Sequence, residues 1–152
     1  SVSAYPEKHP DTPTAEGDID MLARKADAGA NRALTQFFFD NAVYHRFLEE
    51  ADAAGVDIPI HPGVLPILDF AKMQVFAARC GASVPTGLID KFVAFERPED
   101  QRRVAEEVFL TQVADLLAQG VAHIHVFTLN EPTFSELLCR NFGLGRTRAS
   151  VA

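Results

Sequence analysis

The order of apolar and polar residues predicts an α/β fold built from four βα units around a parallel sheet. Three observations carry that expectation. Short apolar or β-branched runs alternate with longer amphipathic ones, and glycines at 29, 55, 81 and 120 stand where the amphipathic runs stop. At 152 residues with 47% hydrophobic side chains, the chain also suits about one domain of the usual ~100–200 residues with a real core. Residues 1–152 are therefore expected to form a single domain.

The first strand is expected over residues 1–5, followed by a Pro- and Thr-rich loop and a helix over 15–28. On that helix Ile19, Leu22, Ala23 and Ala26 share one side at 100° per residue, while Asp18, Met21, Arg24 and Lys25 fall on the adjoining arc. The second strand, 32–38, runs into Asp40, placed to N-cap a helix whose stripe is Val43, Phe47, Leu48, Ala51 and Ala54. A third strand over 57–61 is expected to stop at Pro62-Gly63, with a helix over 67–79 after it. A short helical insertion near 86–95 precedes a long helix opened by Pro98 and ended by Gly120. The fourth strand is expected over 121–127 and the last helix over 131–141.

Composition excludes several functions. Fourteen Lys and Arg against 21 Asp and Glu give a net charge of −7, which disfavours sequence-independent binding to nucleic acid or to an anionic membrane. No apolar run reaches the ~20 residues that a bilayer requires, and the first residues lack the basic start and apolar core of a signal peptide. Two cysteines, Cys80 and Cys139, are too few for a disulfide framework and point to a reducing, cytoplasmic setting. The chain opens in a strand-like alternation without an initiator Met, so a preceding segment is expected.

In α/β folds the functional groups collect at the C-terminal ends of the strands. Four units are half of a closed (β/α)8 barrel, and a small open sheet is the other arrangement that fits; no Gly-rich or Walker motif follows a strand. Among the strand-end residues, Gln36 can donate and accept at once, as the edge of a heterocycle requires. Phe37, Phe38 and Phe39 read as core plus strand end. Arg24 and Lys25 beside Asp18 form either a solvated charged face or a clamp for an anionic cofactor, two cations for a diphosphate and a carboxylate for a ribose hydroxyl. His123 and His125, two apart on a strand, share a face and could begin a barrel metallohydrolase site, but the strand ends offer no carboxylate cluster and no metal is expected.

Four segments carry a resemblance. They are Tyr5-Pro6-Glu7-Lys8-His9-Pro10, the block from Arg24-Lys25 through Asp27-Ala28-Gly29-Ala30-Asn31 to Thr35-Gln36-Phe37-Phe38-Phe39-Asp40, Ile60-His61-Pro62-Gly63-Val64-Leu65-Pro66-Ile67, and Phe127-Thr128-Leu129-Asn130. In these the chain resembles methylenetetrahydrofolate reductases, over residues 1 to about 145. The resemblance implies an FAD-binding TIM-type (β/α)8 barrel of which this chain is the C-terminal half. It implies reduction of 5,10-methylenetetrahydrofolate to 5-methyltetrahydrofolate through non-covalent FAD, with NADH or NADPH as hydride donor. Tyr5, His9, Asp18, Arg24 and Lys25 match residues that contact FAD, Gln36 matches one that contacts folate and nicotinamide, and Phe76 matches an aromatic that stacks on either ligand. The family's catalytic glutamate and an Arg-Gly-Asp segment lie in the other half, so no catalytic residue is expected in this chain, and the implied partners are that N-terminal half, a folate and further copies of the protein. Four positions depart from the pattern: Met21 stands for an asparagine, Lys72 for a glutamine of the substrate pocket, Phe127 for a tyrosine and Glu131 for an arginine. A carboxylate at 131, where folate's anionic tail would meet a cation, bears on folate more than on flavin. A non-catalytic half-barrel that serves binding or assembly is the alternative from another functional class.

Overall fold

In the structure, a computed structural model that describes residues 1–143, four strands line up in chain order as one parallel sheet, β1-β2-β3-β4. The strands are β1 (Val2–Ala4), β2 (Ala33–Phe37), β3 (Ile60–Val64) and β4 (His125–Val126). Six helices are described: α1 (Ala15–Asp27), α2 (Asn41–Ala53), α3 (Phe70–Cys80), α4 (Thr86–Val93), α5 (Pro98–Ala118) and α6 (Thr133–Phe142). Parallel neighbours need crossovers, and α1 and α2 supply the first two.

Local chemistry sets the helix ends. Thr14 accepts from Gly17 N, Asp40 from Ala42 N and Asp69 from Lys72 N, each satisfying one amide that the first turn leaves unpaired. The cap at Asp69 starts α3 at Phe70 rather than at residue 67, because Ile67 is drawn into the core at 3% exposure. Along β2 burial alternates: Ala33, Thr35 and Phe37 are buried, Leu34 and Gln36 half-exposed. Ala4, Ile19, Leu22, Ala33, Phe47 and Ala51 make one core between the first two strands and α1 and α2. A larger core gathers Phe37, Phe38, Tyr44, Val64, Met73, Phe92, Phe109 and Leu116 beneath α2 to α6. Tyr44 ties α2 to the sheet, its hydroxyl donating to Ile60 O at 2.8 Å, and burial pushes that phenol up to about 12.

Two strands differ from the sequence expectation, for reasons that meet at Pro62-Gly63. The third strand lies over Ile60–Val64 instead of 57–61, so the Pro-Gly pair sits inside it. Phe127 N donates to Val64 O at 2.9 Å, which turns Val64 toward β4; by alternation Pro62 faces β4 too and Gly63 faces β2. Pro62 has no N–H to give there, and the β3–β4 ladder begins only after it, at Gly63↔His125. The expected strand over 121–127 is thereby reduced to two residues.

On the β2 side the register slips between Leu34 and Phe37, and Gly63 N donates to the Thr35 hydroxyl at 2.8 Å. A Cβ at Gly63 would lie 2.3 Å from Thr35 O and 2.6 Å from a ring carbon of Phe127. Backbone cannot yield as a flexible side chain can. Gly63→Ala should therefore destabilise the protein by about 2–3 kcal/mol, toward the upper end of overpacking costs, seen as a lower unfolding midpoint; an unchanged midpoint would mean that β2 and β3 are not this close.

Candidate functional site

Strand ends and the loops beyond them place most of the nominated residues. Tyr5 and Gln36 line a cavity of about 300 Å³ together with Ser3, Leu34, His125 and Phe127. Gln36 sits in the irregular stretch of β2, and its amide oxygen accepts from Phe37 N at 3.1 Å. That bond fixes which end of the amide is engaged, leaving its NH2 group without a partner among the described residues. Phe37 joins the cavity wall to α3, its ring 5.8 Å from Phe127 and stacked on Phe76 at 5.3 Å. Phe76 itself is 38% exposed, an aromatic face largely open beside a packed one.

The loop between β1 and α1 is built around Asp18. This carboxylate, expected on the charged arc of α1, is instead buried: Oδ2 accepts from His9 N at 2.7 Å and Oδ1 from the Thr12 hydroxyl at 2.8 Å. His9 then lies edge-on to Tyr5 with ring centres 4.5 Å apart. Asp11 N donates to its Nδ1, so the neutral ring carries its proton on Nε2.

The two cations of α1 part company. Lys25 Nζ donates to Ser3 O at 2.9 Å, whereas Arg24 is exposed and makes no ion pair among the described residues. Lys72 is exposed and pairs with Asp69 at 3.1 Å. Glu131 accepts from the Thr133 hydroxyl and from Thr133 N, and these bonds hold its carboxyl below the ordinary range. Lys72 and Glu131 thus each have a local partner and do not pair with each other.

Three features escaped the sequence. Leu129 and Asn130 both adopt left-handed backbone, φ 50° and 64°, just beyond β4. Asn at such a position could be anticipated, but a left-handed Leu could not. Glu7 bonds to a residue far along the chain, a contact that no local pattern announces. His61 and His123 meet across the β3–β4 seam, ring centres 5.1 Å apart, while His125 packs on Phe127. Among the described residues no group of three or more His, Cys, Asp or Glu could hold a metal ion, and no helix is long and apolar enough to cross a membrane.

Comparison with known proteins decides the lineage. The family profile described as methylenetetrahydrofolate reductase matches residues 1–143. The chain belongs to that family. It is 39% identical over 145 residues to the 5,10-methylenetetrahydrofolate reductase of Pectobacterium carotovorum and 38% identical to that of Escherichia coli K12, in each case 95% of this chain and 49% of the relative. The chain thus spans about half the length of the reductases it matches. Among solved structures, an uncharacterised protein from Clostridium thermocellum, described as binding two copies of 5-methyl-5,6,7,8-tetrahydrofolic acid, shares the fold. Its TM-score is 0.52 at 18% identity, covering 82% of this chain and 44% of that one.

The histidine pair makes stability sensitive to mild acid. Burial first, then the neighbouring His123 and Arg32, lower the pKa of His61 below its ordinary 6.5. The unfolded chain then binds the proton more readily, so stability rises with pH across that range and falls as pH drops below 6.5. The lowered carboxylates Glu99 and Glu131, ordinarily 4.5, and Asp69 and Asp115, ordinarily 3.8, lose stability in the same direction but mainly below about pH 5, so they leave the higher range to His61. Thermal unfolding from about pH 7 to 5 should show a falling midpoint, and His123→Gln should flatten the slope by removing one repelling neighbour.

Proposed function

We propose that this chain forms, as one domain, the C-terminal half of a TIM-type barrel that reduces 5,10-methylenetetrahydrofolate to 5-methyltetrahydrofolate with FAD and NADH or NADPH. The observation that carries the reading is the convergence of Tyr5, Gln36 and Phe127 on one cavity of an all-parallel sheet. Family membership and the half-length match supply the chemistry to weigh against that geometry.

The residues present fit an anionic, aromatic-bearing cofactor. Arg24 is uncommitted among the described residues, Lys25 is held by a single carbonyl, and Tyr5 and His9 form an aromatic corner in the same β1–α1 unit. FAD, when bound, supplies hydride transfer between the nicotinamide and the folate. Arg24 and Lys25 would hold its diphosphate, Lys25 being tied here only to Ser3 O. Asp18 keeps the loop in shape through His9 and Thr12, and its remaining lone pairs suit a ribose hydroxyl. Gln36 would offer its free NH2 to a ring acceptor of folate or nicotinamide, and the part-exposed ring of Phe76 would stack on either ligand. Lys72 and Glu131 address the folate's charged tail with opposite effect.

Replacing Arg24 and Lys25 together with Ala should weaken flavin binding by roughly two to four orders of magnitude, the loss of two charge-assisted hydrogen bonds. Flavin retained by the double variant through dilution and gel filtration would contradict the clamp. Glu131→Arg should speed flavin reoxidation by methylenetetrahydrofolate severalfold while changing flavin reduction by NAD(P)H much less, because position 131 matches the one that meets the folate's anionic tail. An equal change in both half-reactions would place Glu131 away from the folate.

A further inference from the structure

Glu7 belongs to the Tyr5–Pro10 segment but has no part in the reading above. Its two carboxylate oxygens both accept from Ser83 N, each at 3.0 Å, and it makes no ion pair among the described residues. Ser83 lies two residues beyond Gly81, the left-handed cap of α3 at φ 73°. A Cβ on Gly81 would stand 2.5 Å from Lys8 O and 3.5 Å from the Pro10 ring, so the loop backbone rests directly on the end of α3. Lys8 Nζ donates to Thr12 O, and Asp18 grips the far side of the same loop. Within the same C-terminal half, α3 is also pinned to the sheet by Phe76 stacked on Phe37, next to Gln36.

We propose that Glu7 is a positioning residue that registers the loop bearing Tyr5 and His9 against α3, the helix bearing Lys72 and Phe76. The inference rests on the proposed function for what the two elements hold, but the clamp itself is a property of this chain. The contact lies at the surface, and Glu7 turns both oxygens to one backbone amide, a charge-assisted bond that ties two segments far apart in the chain. Losing it releases the turn after α3 and the loop together, whereas Asp18 alone would keep the loop's inner side.

Hydrogen exchange on the flavin-free protein tests the clamp. In Glu7→Ala the amides of Ser83 and of loop residues Lys8, His9, Asp11 and Thr12 should exchange about tenfold faster, as loss of a charge-assisted hydrogen bond predicts, with α2 and α5 unchanged. Glu7→Gln, which keeps one acceptor, should restore most of the protection. Tyr44→Phe, which loosens α2 from β3, serves as a comparison and should leave the loop unaffected. Flavin affinity should fall about tenfold in Glu7→Ala and recover in Glu7→Gln. Unchanged exchange at Ser83 and the loop, or a uniform increase along the chain, overturns the clamp. A local increase with flavin affinity intact overturns the positioning role. A local increase in a protein whose parent takes up no flavin upholds the clamp and overturns the proposed function instead.

Discussion

With only hydrogen on its Cα, Gly63 lets the backbone of β3 lie against Thr35 O, and the Thr35 hydroxyl takes the amide that the regular ladder would have paired. The register slip in β2 includes Gln36, whose amide oxygen turns back to Phe37 N. Pro62, one residue earlier and facing the opposite neighbour, delays the β4 ladder until His125. A side chain at position 63 would separate β2 from β3 and press on Phe127, so the wall of the cavity depends on a missing methyl group.

From that close approach the site spreads outward through aromatic contacts. Phe37 is buried beneath the sheet and touches Phe39, Phe76 and Phe127, which belong to the segment after β2, to α3 and to the segment after β4. Edge-to-face and stacked rings fix relative orientation as well as distance. Polar bonds organise the other side, where Asp18 replaces solvent for His9 N and the Thr12 hydroxyl. A buried carboxylate with its partners in place costs little, but it holds the loop in a single shape.

Local rules made much of the architecture legible. The caps at Asp40 and Gly81, the Pro98 start of α5 and the apolar stripe of α2 all act within a few residues, and the helices lie close to where those signals put them. β3 lies later and β4 is shorter than local rules suggest, because Pro-Gly reads as a terminator when a strand is considered alone. Which neighbour each residue faces is a tertiary fact, and in this sheet it makes the same pair tolerable. The site shows the same division. Gln36 and the α1 cations could be nominated by residue type, whereas the burial of Asp18 depends on a loop folding back over its own helix. The contact of Glu7 with Ser83 spans 76 residues and has no local trace at all.

Lys25 has a second consequence, for association. Val2 N pairs with Arg32 O, so the alternation of a parallel ladder turns the polar groups of Ser3 to the free edge of β1, where Lys25 covers the carbonyl. Exposed strand edges recruit other strands indiscriminately, and a charged side chain laid across one raises the barrier to such pairing. Any strand that extends the sheet on this side must first displace the ammonium from Ser3 O. The lysine thereby guards this edge at one carbonyl against chance contacts between β-strands.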